Sequence, residues 1–141
     1  MYTDGGSRGN PGPAAIGVAI YDSAKHLLKS YGKTIGIATN NEAEYEALLA
    51  ALLICWANPD LTDPIIYSDS TLVVKQVNGL MRCRTLNLEP LYLSVKEIQE
   101  VFRFDLQHVP RQKVWEADAL ANLFLDKLEK QRGKRESGEH E

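Results

Sequence analysis

Four carboxylates stand in four distinctive settings along this chain. Asp4 lies in a short opening strand and runs into Gly5-Gly6-Ser7-Arg8-Gly9-Asn10-Pro11-Gly12. Glu44 falls at the start of the helical pattern that follows Thr39-Asn40-Asn41. Asp69 closes the apolar run Ile65-Ile66-Tyr67 and opens a helix, and Asp118 sits in Glu116-Ala117-Asp118-Ala119-Leu120-Ala121. Hard divalent cations such as Mg²⁺ take oxygen ligands, usually a few carboxylates completed by substrate phosphate and water. A pair of such ions can clamp the attacking and the leaving oxygen of a phosphoryl transfer. Metal-assisted phosphoryl chemistry is therefore the chemistry these acids would do together.

The elements that must position them follow an α/β pattern. Residues 1–6 read as a strand entering a Gly/Pro-rich turn. Residues 14–22 read as a second strand, with Ile16, Val18 and Ile20 on one face and Ala15, Gly17 and Ala19 on the other. Residues 26–34 form a third, and the short turns predict an antiparallel meander. A helix is expected over 41–56, with Tyr45, Leu48, Leu49, Leu52, Leu53 and Trp56 as its buried face and Asn40 or Asn41 as its cap. Residues 64–69 suit a short, buried, parallel strand. Helices over 70–77 and 89–101, a last strand over 102–109 and a last helix over 115–132 complete the pattern. The tail 133–141 is polar and expected to be disordered, which leaves one domain over 1–132.

A chain of 141 residues with 44% hydrophobic and 25% charged residues is long enough for one packed core. No stretch approaches the roughly 18 apolar residues of a membrane span. The chain opens directly on a strand with no leader pattern, so a cytoplasmic protein without membrane partners is expected. Cys55 and Cys83 lack metal-ligand spacing. Cys55 reads as a small buried hydrophobe, and a reducing compartment disfavours a Cys55–Cys83 disulfide. The net charge of −3 is unusual for a partner of nucleic acid, because phosphate contacts dominate such affinity. Any basic surface must be local, with Lys75, Arg82, Arg84, Arg111 and Lys113 as its candidates.

The acids fall at meaningful places in this pattern. Asp69 ends a strand and precedes a helix, and open α/β sheets gather their sites at such strand ends. Asp118 lies about 100° from the apolar centre of the last helix, at the edge of a core. Glu42, Glu44 and Glu46 all flank the buried stripe of their helix, so periodicity alone does not choose among them.

Four motifs, in order, resemble type 1 ribonuclease H over roughly residues 1–130: Thr3 to Gly12, Thr39 to Tyr45, Tyr67-Ser68-Asp69-Ser70, and His108-Val109-Pro110-Arg111 followed by Glu116 to Asn122. The resemblance implies the ribonuclease H-like α/β fold. That is a five-stranded mixed sheet, three antiparallel strands followed by two parallel ones, with helices on both faces. It implies cleavage of the RNA strand of an RNA–DNA hybrid, leaving 5′-phosphate and 3′-hydroxyl ends. A monomer with no obligate protein partner is expected beside it. The resemblance selects Glu44 over its neighbours and assigns Asp4, Glu44, Asp69 and Asp118 as ligands of two Mg²⁺ ions, replaceable by Mn²⁺, with Asp4 bridging. It assigns Gly5, Ser7, Asn10, Thr39, Asn40 and Asn41 to hybrid contacts, and His108 to proton transfer or product release. Short amides and hydroxyls suit a 2′-OH, the group that separates RNA from DNA. The glycines after Asp4 are read as allowing close backbone approach to the substrate.

Two departures mark this chain. Val114 stands where relatives usually carry Asn, four residues before the last Asp. About eleven residues separate Val77 from Glu89, too few for the Lys-rich helix that some members insert there. Weak substrate binding is the expectation. Two other readings stand beside the main one: a nuclease of the same fold acting on double-stranded RNA, and a non-catalytic hybrid-binding module.

Overall fold

In a computed structural model, which describes residues 1–137, the chain runs β1 (Tyr2–Ser7), β2 (Gly12–Tyr21), β3 (Leu27–Ala38), α1 (Asn40–Ala57), β4 (Ile65–Ser68), α2 (Thr71–Val77), α3 (Glu89–Val101), β5 (Asp105–His108), a 3₁₀ turn (Arg111–Val114) and α4 (Trp115–Ser137). The five strands form one sheet in the order β3-β2-β1-β4-β5. β1, β2 and β3 pair antiparallel, while β4 pairs parallel with both β1 and β5. The mixed sheet expected from the motifs is therefore the one observed.

β2 shows why helices cover both faces. Its residues alternate, as the period of a strand demands. Val18 and Ile20 join Tyr45, Leu48 and Leu52 of α1 in the main core, which also takes in α2 and α3. Ala15 faces the other way and packs with Ala121 and Leu125 of α4. Between them, Gly17 lets α4 lie against the strand, because a Cβ there would collide with the Ala117 carbonyl. No helix among the described residues is long and apolar enough to cross a membrane.

Several local expectations are corrected. The cap of α1 is Thr39, not Asn40 or Asn41. The Thr39 hydroxyl accepts from the Glu42 amide at 3.1 Å, and the Glu42 carboxylate accepts from the Thr39 amide at 2.9 Å. This reciprocal capping box satisfies two otherwise free N–H groups. The buried face of α1 is rotated towards Ala43, Ala47 and Ala51, which leaves Leu53 63% and Trp56 61% exposed. Small side chains let the helix lie close to the sheet beside Tyr45, Leu48 and Leu52, and Leu53 and Trp56 fall outside that interface. The last strand is shorter than expected, since Phe102 closes α3 and pairing starts at Asp105. The last helix is longer. It passes Gly133 to reach Ser137, as one glycine costs only about 1 kcal/mol and good helix formers follow it. The tail expectation for 138–141 lies outside the described residues. Both cysteines are free, and Cys55 is buried.

Candidate active site

β1 lies between an antiparallel and a parallel neighbour, which makes its carboxyl end the switch point of the sheet. The parallel ladder with β4 has its last rung at Thr3–Ser68, both buried. Asp4 and Asp69 come next on each chain, where a cleft of about 370 Å³ opens between the strand ends. α1 brings Glu44 over β1. A Cβ on Gly5 would collide with the Ala43 carbonyl, so only glycine admits the helix at this distance. The close approach that Gly5 allows is thus to α1 rather than directly to a substrate. In return the Gly5 amide donates to Glu44 Oε1 at 2.5 Å and fixes that carboxylate in the cleft.

Asp4, Glu44 and Asp69 each present a carboxylate oxygen within 4.8 Å of the others. Glu42 is used in the capping box, and Glu46 lies with Lys33 in a separate surface depression. Geometry therefore singles out Glu44, which spacing alone did not. Asp118 enters from α4 on the opposite face of the sheet. It lies outside the tight trio, but its carboxyl hydrogen-bonds that of Asp4. Arg111 of the 3₁₀ turn approaches Asp118, with Nη2 3.6 Å from Oδ1. Val114, where an Asn was expected, is fully buried and anchors that turn.

Crowding four acids has an electrostatic cost. Burial pushes the Asp4 carboxyl from its ordinary 3.8 up to about 10, helped by the charge of Glu44 and the hydrogen bond to Asp118. Burial likewise pushes Glu44 from 4.5 to about 8, helped by the charge of Asp69 and opposed by the Gly5 amide. Like charges held this close cannot all ionise without a cation between them. Hard oxygen donors at this spacing, protonated for want of positive charge, fit a divalent metal ion.

The expected hybrid contacts form a second cluster beside the acids. Asn40 Oδ1 accepts from the Ser7 amide at 2.8 Å and lies 3.2 Å from its hydroxyl, and the Asn40 amide donates to Asn10 Oδ1 at 3.1 Å. Ser7, Asn40 and Asn41 line the cleft with Gly5, whereas the Thr39 hydroxyl is occupied by its cap and Asn10 supports Asn40 from outside the lining. His108 is not brought into the cleft. It is exposed at the end of β5, with Nε2 3.2 Å from the Thr71 hydroxyl. Sequence reasoning missed Arg8 and did not separate Asn122 from its motif, yet both line the cleft. The signal was present in the polar stripe Asp118, Asn122, Asp126 and Glu129, spaced for one side of a helix.

A mixed five-stranded sheet with an acid-floored cleft at its switch point defines the ribonuclease H class of fold and site. The family model described as reverse transcriptase-like matches residues 2–124. Ribonuclease HI of Halobacterium salinarum is 42% identical over 126 residues, which is 89% of this chain and 63% of that protein. The bifunctional protein Rv2228c of Mycobacterium tuberculosis is 39% identical over 89% of this chain. Among solved structures, LC11-RNase H1 in complex with an RNA/DNA hybrid superposes with a TM-score of 0.84 at 38% identity, covering 90% of this chain and 96% of that one. The chain belongs to the type 1 ribonuclease H family. It spans 63% of the halobacterial protein's length and 35% of the mycobacterial one's.

Proposed function

We propose that this chain is an endoribonuclease that hydrolyses the RNA strand of RNA–DNA hybrids, with divalent cations held by Asp4, Glu44, Asp69 and Asp118. The observation that carries the reading is the trio of carboxylates within 4.8 Å of one another at the switch point of the sheet. Bound cations supply an acidified water and neutralise charge building on the phosphate. Mg²⁺ is the proposed ion, with Mn²⁺ as substitute and two ions per site. Products carry 5′-phosphate and 3′-hydroxyl ends.

The side chains divide the remaining work. Asp4, whose carboxylate neighbours Glu44, Asp69 and Asp118, would be the ligand shared between two ions. Gly5 holds Glu44 in its ligating orientation through the backbone amide. Ser7, Asn10, Thr39, Asn40 and Asn41 offer amides, hydroxyls and backbone groups beside the acids, the chemistry that distinguishes a 2′-OH from its absence. The LC11 relative was solved with a hybrid bound, and the same class of duplex is the proposed substrate here. His108 assists proton transfer or product release from the rim, with its ring held by Thr71. The chain is proposed to act as a monomer, in the cytoplasm, through a catalytic domain of residues 1–132.

Incubation with end-labelled hybrid, with and without Mg²⁺ or Mn²⁺, tests the reading beside matched double-stranded RNA and DNA. RNA-strand cutting of the hybrid that requires metal supports it. Preferential cutting of double-stranded RNA reassigns the substrate, and hybrid binding without metal-dependent turnover makes the chain a binding module.

A further inference from the structure

One side chain joins the two halves of the cleft. Arg8 follows Ser7 in the Gly-rich loop, and its guanidinium crosses to α4. Nη2 lies 2.7 Å from Asp126 Oδ1, and Nη1 lies 2.9 Å from Glu129 Oε1. Nη2 also donates to Asn122 Oδ1 at 3.3 Å. Asn122 Nδ2 donates in turn to the Asp118 carbonyl at 3.0 Å, one turn back along the same stripe. At its other end, the Arg8 amide donates to the Pro13 carbonyl at 2.8 Å and closes the loop that carries Ser7 and Asn10. The turn between β1 and β2 is residues 8–11, and Gly9 in it has φ +99°. The strand ladder holds Gly5 to Ser7 on one side. Beyond the Arg8 amide, the turn that carries Asn10 is held to the rest of the fold by the Arg8 side chain and the Asn10–Asn40 hydrogen bond.

We propose that Arg8 is a positioning residue, tying the loop that presents Ser7 and Asn10 to the helix that presents Asp118. This rests on the functional reading above, and it concerns how the substrate loop is kept in register with the acids. The competing role, a cation for substrate phosphate, fits the geometry poorly. Both Nη groups already face carboxylates, so one positive charge is matched by two negative ones. A planar guanidinium holds two carboxylates in fixed directions, which a lysine ammonium does not. Exposed ion pairs contribute little to global stability, so the tether can be cut without unfolding the chain.

The test compares wild type with Arg8→Ala, the double variant Asp126→Ala/Glu129→Ala, and the triple variant. Asp126 and Glu129 do not line the cleft. Loss of the tether is expected to raise KM for hybrid up to about fivefold, the scale of the ~1 kcal/mol an exposed ion pair contributes, with kcat nearly unchanged. The rise should be the same in all three variants, and Arg8→Lys should recover only part of it. A double variant that binds hybrid as well as or better than wild type, while Arg8→Ala binds worse, makes Arg8 a phosphate ligand and overturns the proposal. Unchanged KM in both also overturns it. Amide hydrogen exchange at Ser7 and Arg8, without metal or substrate, gives a reading independent of activity. Faster exchange in the double variant supports the tether and equal exchange refutes it. Wild-type protein that fails to cut hybrid refutes the functional reading but leaves this second measurement standing.

Discussion

Asp4 and Asp69 stand side by side because each is the first residue past Thr3–Ser68, the last rung of the parallel ladder between β1 and β4. The sheet itself sets their separation, so neither carboxylate depends on a loop for its position. A site built on strand ends is more precise than one built on loops. Glu44 and Asp118 then arrive from helices on opposite faces.

Replacing either strand-end acid by its amide should therefore remove function and keep the fold. Metal-borne charge stabilisation is worth several kcal/mol, so Asp4→Asn or Asp69→Asn should lower cleavage at least about 10³-fold. The thermal midpoint of the metal-free protein should hold or rise, because the cost of crowding one more acid into the site has gone. Near wild-type turnover in Mg²⁺ would remove the substituted residue from the ligand set.

Stability without metal should fall as pH rises. Below about pH 3, Asp4 and Glu44 are protonated in both the folded and unfolded chain, and the site carries no penalty. Above that, the unfolded chain releases these protons while the folded chain keeps them up to about 8 for Glu44 and about 10 for Asp4. The folded state then binds more protons, so its stability declines through this window. Melting curves at about pH 5.5 and pH 8 should show the lower midpoint at the higher pH, and Asp4→Asn or added Mg²⁺ should shrink the difference. A difference of the same size in Asp4→Asn would locate its cause elsewhere.

His108→Ala should slow turnover without ending it. General acid–base assistance is typically worth about 10²–10⁴-fold, and an exposed ring outside the cleft belongs at or below the low end. A loss as complete as that of Asp4→Asn would make His108 a ligand or a structural residue. Unaltered rates would make it a bystander.

Gly5→Ala should damage the site through the backbone. The added methyl meets the Ala43 carbonyl, so α1 must shift and carry Glu44 away from the Gly5 amide that orients it. Overpacking of this kind costs about 1–3 kcal/mol. Calorimetric titration should find weaker Mg²⁺ binding and a lower thermal midpoint together. Wild-type metal affinity would show that Glu44 keeps its place without the glycine.

The antiparallel meander and the strand-end position of Asp69 were legible because each depends on local signals, namely period-two alternation, turn residues and the end of a strand, while the mixed sheet followed from the family motifs. What was not legible depends on contacts between elements. Glu42, Glu44 and Glu46 look alike along α1, and they are separated only by a capping box on one and a Gly5 amide on another. Leu53 and Trp56 were expected inside because they are apolar, but the sheet takes the alanine face instead. Thr39 outcompeted two asparagines as cap because Glu42, three residues on, completes a reciprocal pair. Arg8 carried no helical or strand signal at all, and its partners lie more than a hundred residues away on α4.

The central claim is most directly tested by a salt titration of cleavage on an end-labelled RNA–DNA hybrid beside a DNA duplex of the same sequence, each with and without Mg²⁺. Cutting of the RNA strand alone is expected, only with metal, and the DNA duplex should stay intact. With a net charge of −3 and few free cations near the cleft, a high KM that rises gently with salt is also expected, since each phosphate neutralised adds about 0.9 to the logarithmic slope. Efficient cutting of the DNA duplex, or equal cutting without metal, would contradict the claim.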